Sequence, residues 1–246
     1  MSRIKSAFEN KKALIAFVTG GDPDLETTEA LIPQIAEAGA DLIEIGIPFS
    51  DPIAEGIVIQ EADERALKAQ TTTDKLFDMV KRVREKVEIP LVFMTYINPV
   101  YTYGTERFIK KCAECGIDGV IIPDVPFEER GEVLDICEAQ GVALISMIAP
   151  TSKERIHMIA REAKGFLYCV SSLGVTGVRS KITTNIKEMV DQVKAVSDIP
   201  CAIGFGISTP VQAKEMAAVA DGAIVGSAIV KIIAQHGKNC IKPVCA

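Results

Sequence analysis

The chain has 246 residues, 48% of them apolar and 24% charged, with no Trp and only 5% aromatics; such values describe a globular chain with an aliphatic core and exclude a disordered or fibrous one. Its net charge of −6 comes from 27 basic and 33 acidic residues with no basic cluster, which argues against a nucleic-acid surface. No apolar run reaches the ~18 residues of a membrane span, the polar start MSRIKSAFENKK has no signal-peptide core, and the seven scattered Cys read as reduced thiols of a cytoplasmic protein.

In chain order, a short leading helix is expected over Ser2–Asn10. A strand begins near Ala13 (ALIAFVT), followed by the turn Gly20-Gly21-Asp22-Pro23 and a helix over Thr27–Ala38. The next strand starts near Asp41 (DLIEIGI). A long interval then carries the loop Pro48–Gly56 and a helix over Thr73–Val87 before the strand at Pro90 (PLVFMTY). Helix Glu106–Cys115 leads to the strand at Asp118 (DGVIIPD), and helix Glu128–Ala139 to the strand at Val142 (VALISMI). Helix Lys153–Ala163 precedes the strand at Gly165 (GFLYCVS). After a second long interval and helix Thr184–Val196 come strand Pro200 (PCAIGFG), helix Pro210–Ala218, strand Asp221 (DGAIVG) and a last helix opening at Ser227. Several helices end at Gly, the expected stop signal.

Most of the strand segments are near-continuous apolar runs, as expected for strands covered on both faces in a parallel sheet. Eight strand-then-helix units in a chain of this length predict one (β/α)₈ TIM barrel over residues 1–246, with the leading helix capping one end. An open doubly wound sheet usually has fewer strands, and its G-x-G-x-x-G fingerprint is absent after the first strand. The extra chain after strands 2 and 6 is expected as long loops on the C-terminal face, where barrel enzymes do chemistry.

Glu44 is the first candidate. Alternation puts Leu42, Glu44 and Gly46 on one face of an otherwise apolar strand, facing inward or toward the mouth. Desolvation there raises a carboxyl pKa and suits acid–base work. The competing reading is a structural carboxylate paired with a buried base, but no strand core carries a basic residue. The loop Pro48–Gly56, with Asp51 and Glu55, reads equally as a preorganised functional loop or as a solvated turn. Glycines close three consecutive strand ends: Leu173-Gly174-Val175-Thr176-Gly177, Ile203-Gly204-Phe205-Gly206 and Val225-Gly226-Ser227. Their backbone N–H groups, with the helix start at Ser227, suit a phosphate; close packing at loop corners is the alternative.

No strand end presents a His, no strand carries a Lys for a Schiff base, and no carboxylate–His cluster suggests a metal. Cys112 and Cys115 are merely i,i+3 neighbours on a predicted helix, with no second pair at zinc spacing. Chemistry therefore rests on carboxylates, hydroxyls and backbone dipoles, with Tyr96 and Tyr168 as strand-borne phenols.

The strings FVTGGDPD, IEIGIPFSDPIAEG, PDVPFEE, GVTG, GFGIS and GSAIVKII occur in that order from Phe17 to Ile233. This pattern resembles the tryptophan synthase alpha subunit family. The resemblance implies a (β/α)₈ lyase that splits indole-3-glycerol phosphate into indole and glyceraldehyde 3-phosphate without a cofactor of its own. It also implies a pyridoxal-phosphate β subunit as partner in an αββα complex, with indole passing between the two. Glu44 would be the acid–base residue and Glu55 the second carboxylate, on the indole N–H. Phe17, Tyr96 and Ile121 would line the indole pocket, with Tyr168 facing the substrate and Thr176 contacting the second carboxylate. Gly177, Gly206, Gly226 and Ser227 would hold the phosphate, and Pro48, Asp51 and Asp124 would face the partner. The chain departs from the family pattern at Glu55 (most often Asp), Ile57 (commonly Pro) and Ser172 (often Arg). Its last helix is expected to be short. Two other readings stand beside this one: another phosphate-binding barrel, such as a sugar-phosphate isomerase, and a weakly active module that mainly activates its partner.

Overall fold

The computed structural model describes residues 2–170, 179–204 and 206–246, with the backbone alone for 179–185. Eight parallel strands close into a barrel: β1 Ala13–Thr19, β2 Leu42–Gly46, β3 Leu91–Met94, β4 Gly119–Ile121, β5 Ala143–Ile148, β6 Leu167–Val170, β7 Cys201–Gly204 and β8 Gly222–Val225. Closure is by β1 against β8, with Ala13 beside Gly222 and Ala16 beside Val225. All eight expected strands are present, each starting within two residues of its sequence signal.

Alternate residues of each strand feed two separate cores, which is why the runs are apolar throughout. Ile15, Leu42, Val92, Ile121, Ile145, Tyr168, Ala202 and Ile224 fill the barrel interior. Ile43, Ile45, Phe93, Val120 and Leu144 face outward and pack against helix residues such as Leu31, Leu76, Phe108 and Val133. The leading helix is shorter than expected, Arg3–Ala7. Its Ile4 is fully buried and joins the interior cluster, closing that end of the barrel.

Three aspartates sit just before strands and act as latches. The Asp41 carboxylate accepts the N–H of Leu14 at 2.8 Å and pairs with Lys11. Asp118 accepts the N–H of Leu91 at 2.9 Å and pairs with Arg84 at 2.9 Å and Arg3 at 3.0 Å. Asp221 accepts the N–H of Cys201 and pairs with Lys194, both at 2.8 Å. Each ties its own strand's start to the neighbouring strand, so register is set at the end of the barrel away from the site.

The expected helices are present with ends displaced by a few residues, as in Leu25–Glu37, Gly131–Gln140 and Arg179–Lys194. Among the described residues before β8, two helices were not expected. The interval after β2 is not a long loop: residues 57–68 form a helix, Ile57–Lys68, ahead of helix Thr73–Arg84. Its buried positions Ile59, Ala62, Asp63 and Ala66 repeat at helical spacing, but small residues and an acid hide the stripe. The helix is pinned by Arg65, which grips the buried carboxylate of Asp22 with two hydrogen bonds of 2.8 Å. The second is Ile97–Tyr103, whose first N–H is capped by Asp124 at 3.0 Å. The last helix, Ser227–His236, is followed by a 3₁₀ turn and by Ile241–Val244, where Ile241, Val244 and Cys245 pack against the outer core. Among the described residues, no helix is long and apolar enough to cross a membrane.

Candidate active site

Glu44 sits in β2 with Phe17 of β1 and Val92 of β3 as its register partners. It is fully buried, and neither carboxylate oxygen has a hydrogen-bond partner among the described residues. Burial alone raises its pKa to about 8. A carboxyl held at that value is protonated at neutral pH and can both donate and recover a proton. Among the described residues, no buried base pairs with it. The Tyr168 phenol is raised well above its ordinary range, first by burial and then by the charge of Glu44. Gly204 makes room for its ring: a Cβ there would lie 2.3 Å from the Tyr168 hydroxyl.

Glu44 opens onto a cavity of about 320 Å³ also lined by Phe17, Glu55, Tyr168, Gly206 and Ser227. Glu55 belongs to the loop between β2 and helix Ile57–Lys68. Its pKa is raised by burial, while hydrogen bonds with Asp63 and Tyr96 act in the opposite direction. Its Oε2 is buried without a partner. Tyr96 is not strand-borne: β3 ends at Met94, and Tyr96 precedes helix Ile97–Tyr103. Its hydroxyl accepts the Ala54 N–H at 3.1 Å and hydrogen-bonds Glu55, so it supports the carboxylate from behind the cavity wall.

The opposite side of the cavity is backbone. Gly206 lies in the left-handed region at φ 77°, and Gly226 precedes helix Ser227–His236. The positive end of this ten-residue helix borders the cavity at Ser227 and carries no side-chain cap among the described residues, an arrangement that suits an anion.

Other expected site residues fall elsewhere. Ile121 does not line the cavity. β4 is only three residues long, so Ile121 stays within the interior core and Pro123 provides the wall. Pro48 is buried within the chain and presents no surface to a partner, because it continues directly from the buried end of β2. Asp51 is exposed and takes a hydrogen bond from Ser50. Asp124 is half-buried and engaged as the helix cap described above. Thr176 and Gly177 lie outside the described residues. Asp63, which no sequence motif singled out, joins the site through Glu55. The signal available in the sequence was its place on a buried helical stripe. A second cavity of about 310 Å³ lies beside Phe127, Leu144 and Arg155. It holds no acid–base group, and its Arg130 and Arg155 are paired with Glu162 and Glu128.

A closed parallel barrel with a carboxyl-bearing cavity at the C-terminal strand ends places the chain among the (β/α)₈ barrel enzymes, which do their chemistry at that face. A family model for the tryptophan synthase alpha chain matches residues 4–244, and the chain belongs to this family. It is 50% identical over 237 residues to the tryptophan synthase alpha chain of Lactiplantibacillus plantarum, covering 96% of this chain and 90% of the relative. Identity to the alpha chain of Lacticaseibacillus casei is 47% over 236 residues, or 96% of this chain and 89% of that one. Among solved structures, the Legionella pneumophila alpha chain superposes with a TM-score of 0.89 at 38% identity, covering 100% of this chain and 94% of that one. The tryptophan synthase α₂β₂ complex of Pyrococcus furiosus matches with a TM-score of 0.89 at 35% identity, covering 96% and 95%.

Proposed function

We propose that the chain, as one barrel domain over residues 1–246, cleaves indole-3-glycerol phosphate by a retro-aldol reaction. Indole and glyceraldehyde 3-phosphate are the products. The observation that carries this reading is Glu44, a fully buried carboxyl bordering the cavity, its pKa raised to about 8 by burial, with no hydrogen-bond partner among the described residues. Glu44 gives its proton to indole C3, which places positive charge on the ring. The Glu44 carboxylate then takes the proton of the C3′ hydroxyl. The C3–C3′ bond breaks, its electron pair returns to the ring, and the C3′ carbonyl of the aldehyde forms. Glu44 ends the cycle protonated, so no net proton is exchanged.

Glu55 accepts the indole N–H. That bond strengthens as C3 is protonated, so it favours the transition state over the ground state. Phe17 and Tyr168 border the ring, with Tyr96 supporting Glu55. Gly206, Gly226 and Ser227 take the phosphate. The chemistry needs no cofactor on this chain; pyridoxal phosphate belongs to the β partner, which receives the indole in an αββα assembly in the cytoplasm. Asp51 and Asp124 lie on the partner side, and the exposed Ile53 and Ile57 offer apolar surface on the Glu55 loop.

The test is indole release from indole-3-glycerol phosphate, measured with and without β subunit. Glu44→Gln is expected to lower the rate by ~10²–10⁴-fold, the range for loss of general acid–base catalysis, while glycerol phosphate still binds. A variant that keeps more than about a tenth of the wild-type rate sinks the assignment.

A further inference from the structure

Asp63 lies within helix Ile57–Lys68 and is 4% exposed, yet among the described residues no ion pair joins it to a cation. The charged groups that act on it most strongly are two acids, Glu55 and Asp22. Asp22 is already held by Arg65 through both oxygens. Asp63 hydrogen-bonds the Glu55 carboxyl and accepts the N–H of Phe49. Two buried carboxyls in hydrogen-bond contact are stable only when one proton lies between them. That proton belongs on Asp63. Glu55 has a second donor in the Tyr96 hydroxyl and borders the cavity, so it bears charge at lower cost than the enclosed Asp63, which has one backbone donor.

We propose that Asp63 is a positioning residue: it stays protonated and donates a hydrogen bond to Glu55, so that Glu55 remains the ionised member of the pair and turns its free Oε2 toward the substrate N–H. The proposal rests on the reading of Glu55 as the indole N–H acceptor. Raising the pH until Asp63 ionises places a second negative charge beside Glu55 and removes the donor. Around the pair stand Tyr96, whose phenol is itself raised, and the Asp22–Arg65 ion pair.

The experiment compares cleavage by wild type, Asp63→Asn, Asp63→Ala, Glu55→Ala and the double Ala variant, each assembled with β subunit, across neutral and alkaline pH. Asparagine keeps both a donor and an acceptor and cannot ionise. Asp63→Asn is therefore expected to retain most of the rate and to remove one proton's worth of the alkaline decline. Asp63→Ala is expected to lose on the order of tenfold, the scale of a misplaced transition-state contact, and to add nothing further once Glu55 is already Ala. At neutral pH the infrared band of a protonated carboxylic acid, seen in wild type, is expected to weaken in Asp63→Asn. Equal losses for Asn and Ala, an unchanged alkaline decline, additive effects or an unchanged band would each overturn the proposal. Glu55→Ala separates the two readings. Full activity in that variant removes the Glu55 assignment itself. Impaired Glu55→Ala beside fully active Asp63→Ala removes only the role of Asp63.

Discussion

Gly206 ties the proposed phosphate side of the cavity to one backbone angle. Its φ of 77° lies in the region L side chains rarely adopt, although nothing lies within 4 Å of a Cβ built there. Replacing it strains the turn rather than filling a hole. Gly206→Val is expected to weaken binding of glycerol phosphate far more than binding of free indole, as read by titration calorimetry. Equal losses for both ligands, with a changed circular dichroism spectrum, would instead mean that the barrel mouth had unfolded. Gly226 differs, since a Cβ there would meet the Phe17 ring at 3.4 Å, an ordinary van der Waals contact, with no strained backbone angle. On the other wall, Glu55 spans from the loop to Asp63 and Tyr96. A shorter Asp would need the loop to move inward to make the same contacts.

At the scale of elements, the barrel is held in register by its aspartate latches and aimed by the loops and helices at its C-terminal face. Asp118 is the most connected latch, joining the N–H of Leu91 to Arg84 and Arg3. Arg84 also donates to the backbone carbonyls of Val87, Ile89 and Gly116, so its guanidinium is committed to this one corner. Asp118→Ala leaves that part-buried guanidinium and a strand N–H without their acceptor. Such losses cost on the order of 1–3 kcal/mol, and each kcal/mol lowers the melting temperature by about 2–4 °C in a chain of this size. Thermal denaturation is expected to show that drop, with cleavage by the folded protein unchanged, because the latch lies at the far end of the strands. An unchanged melting temperature would mean that the latch is decorative. Helix Ile57–Lys68 plays the complementary part at the mouth. It carries Asp63 toward Glu55 and is anchored to the β1 turn through Arg65.

For the molecule as a whole, Glu44 makes stability depend on pH. Its pKa is raised in the folded state, from 4.5 to about 8. Below about 4.5 folded and unfolded chains both hold the proton, and above about 8 neither does. Between those limits the folded state keeps a proton that the unfolded chain has released, so this group's contribution to stability falls as pH rises through the window. A tenfold change in acidity between the two states is worth about 1.4 kcal/mol, so the cost at neutral pH is a few kcal/mol. Glu44→Gln removes it. The variant's melting temperature is expected to exceed that of wild type by several degrees at pH 8, with the gap shrinking toward pH 5. A gap that does not change with pH would show that Glu44 is not kept neutral. The same ionisation sets an alkaline decline in cleavage near pH 8, where the proton donor is lost.

Much of this could be read in the chain itself. Apolar runs set off by Gly, Pro and Asp located the strands to within two residues, and period-2 alternation turned Glu44 inward, because both signals depend on neighbours a few positions apart. Gly206 and Gly226, glycines at strand ends, were legible for the same reason, and both border the cavity. What the chain could not show was decided by long-range closure. Helix Ile57–Lys68 was hidden because its buried stripe is built of Ala and Asp, and only packing against the barrel distinguishes it from a loop. Ile121 and Tyr96, both expected in the cavity lining, fall behind it once the lengths of β4 and β3 are set by their partners. Pro48 became buried where a surface was expected. Asp63 meets Glu55 only because a loop and a helix fold one carboxyl over the other. Two acids eight positions apart in sequence ordinarily separate into water, and burial at the edge of the cavity makes them share a proton.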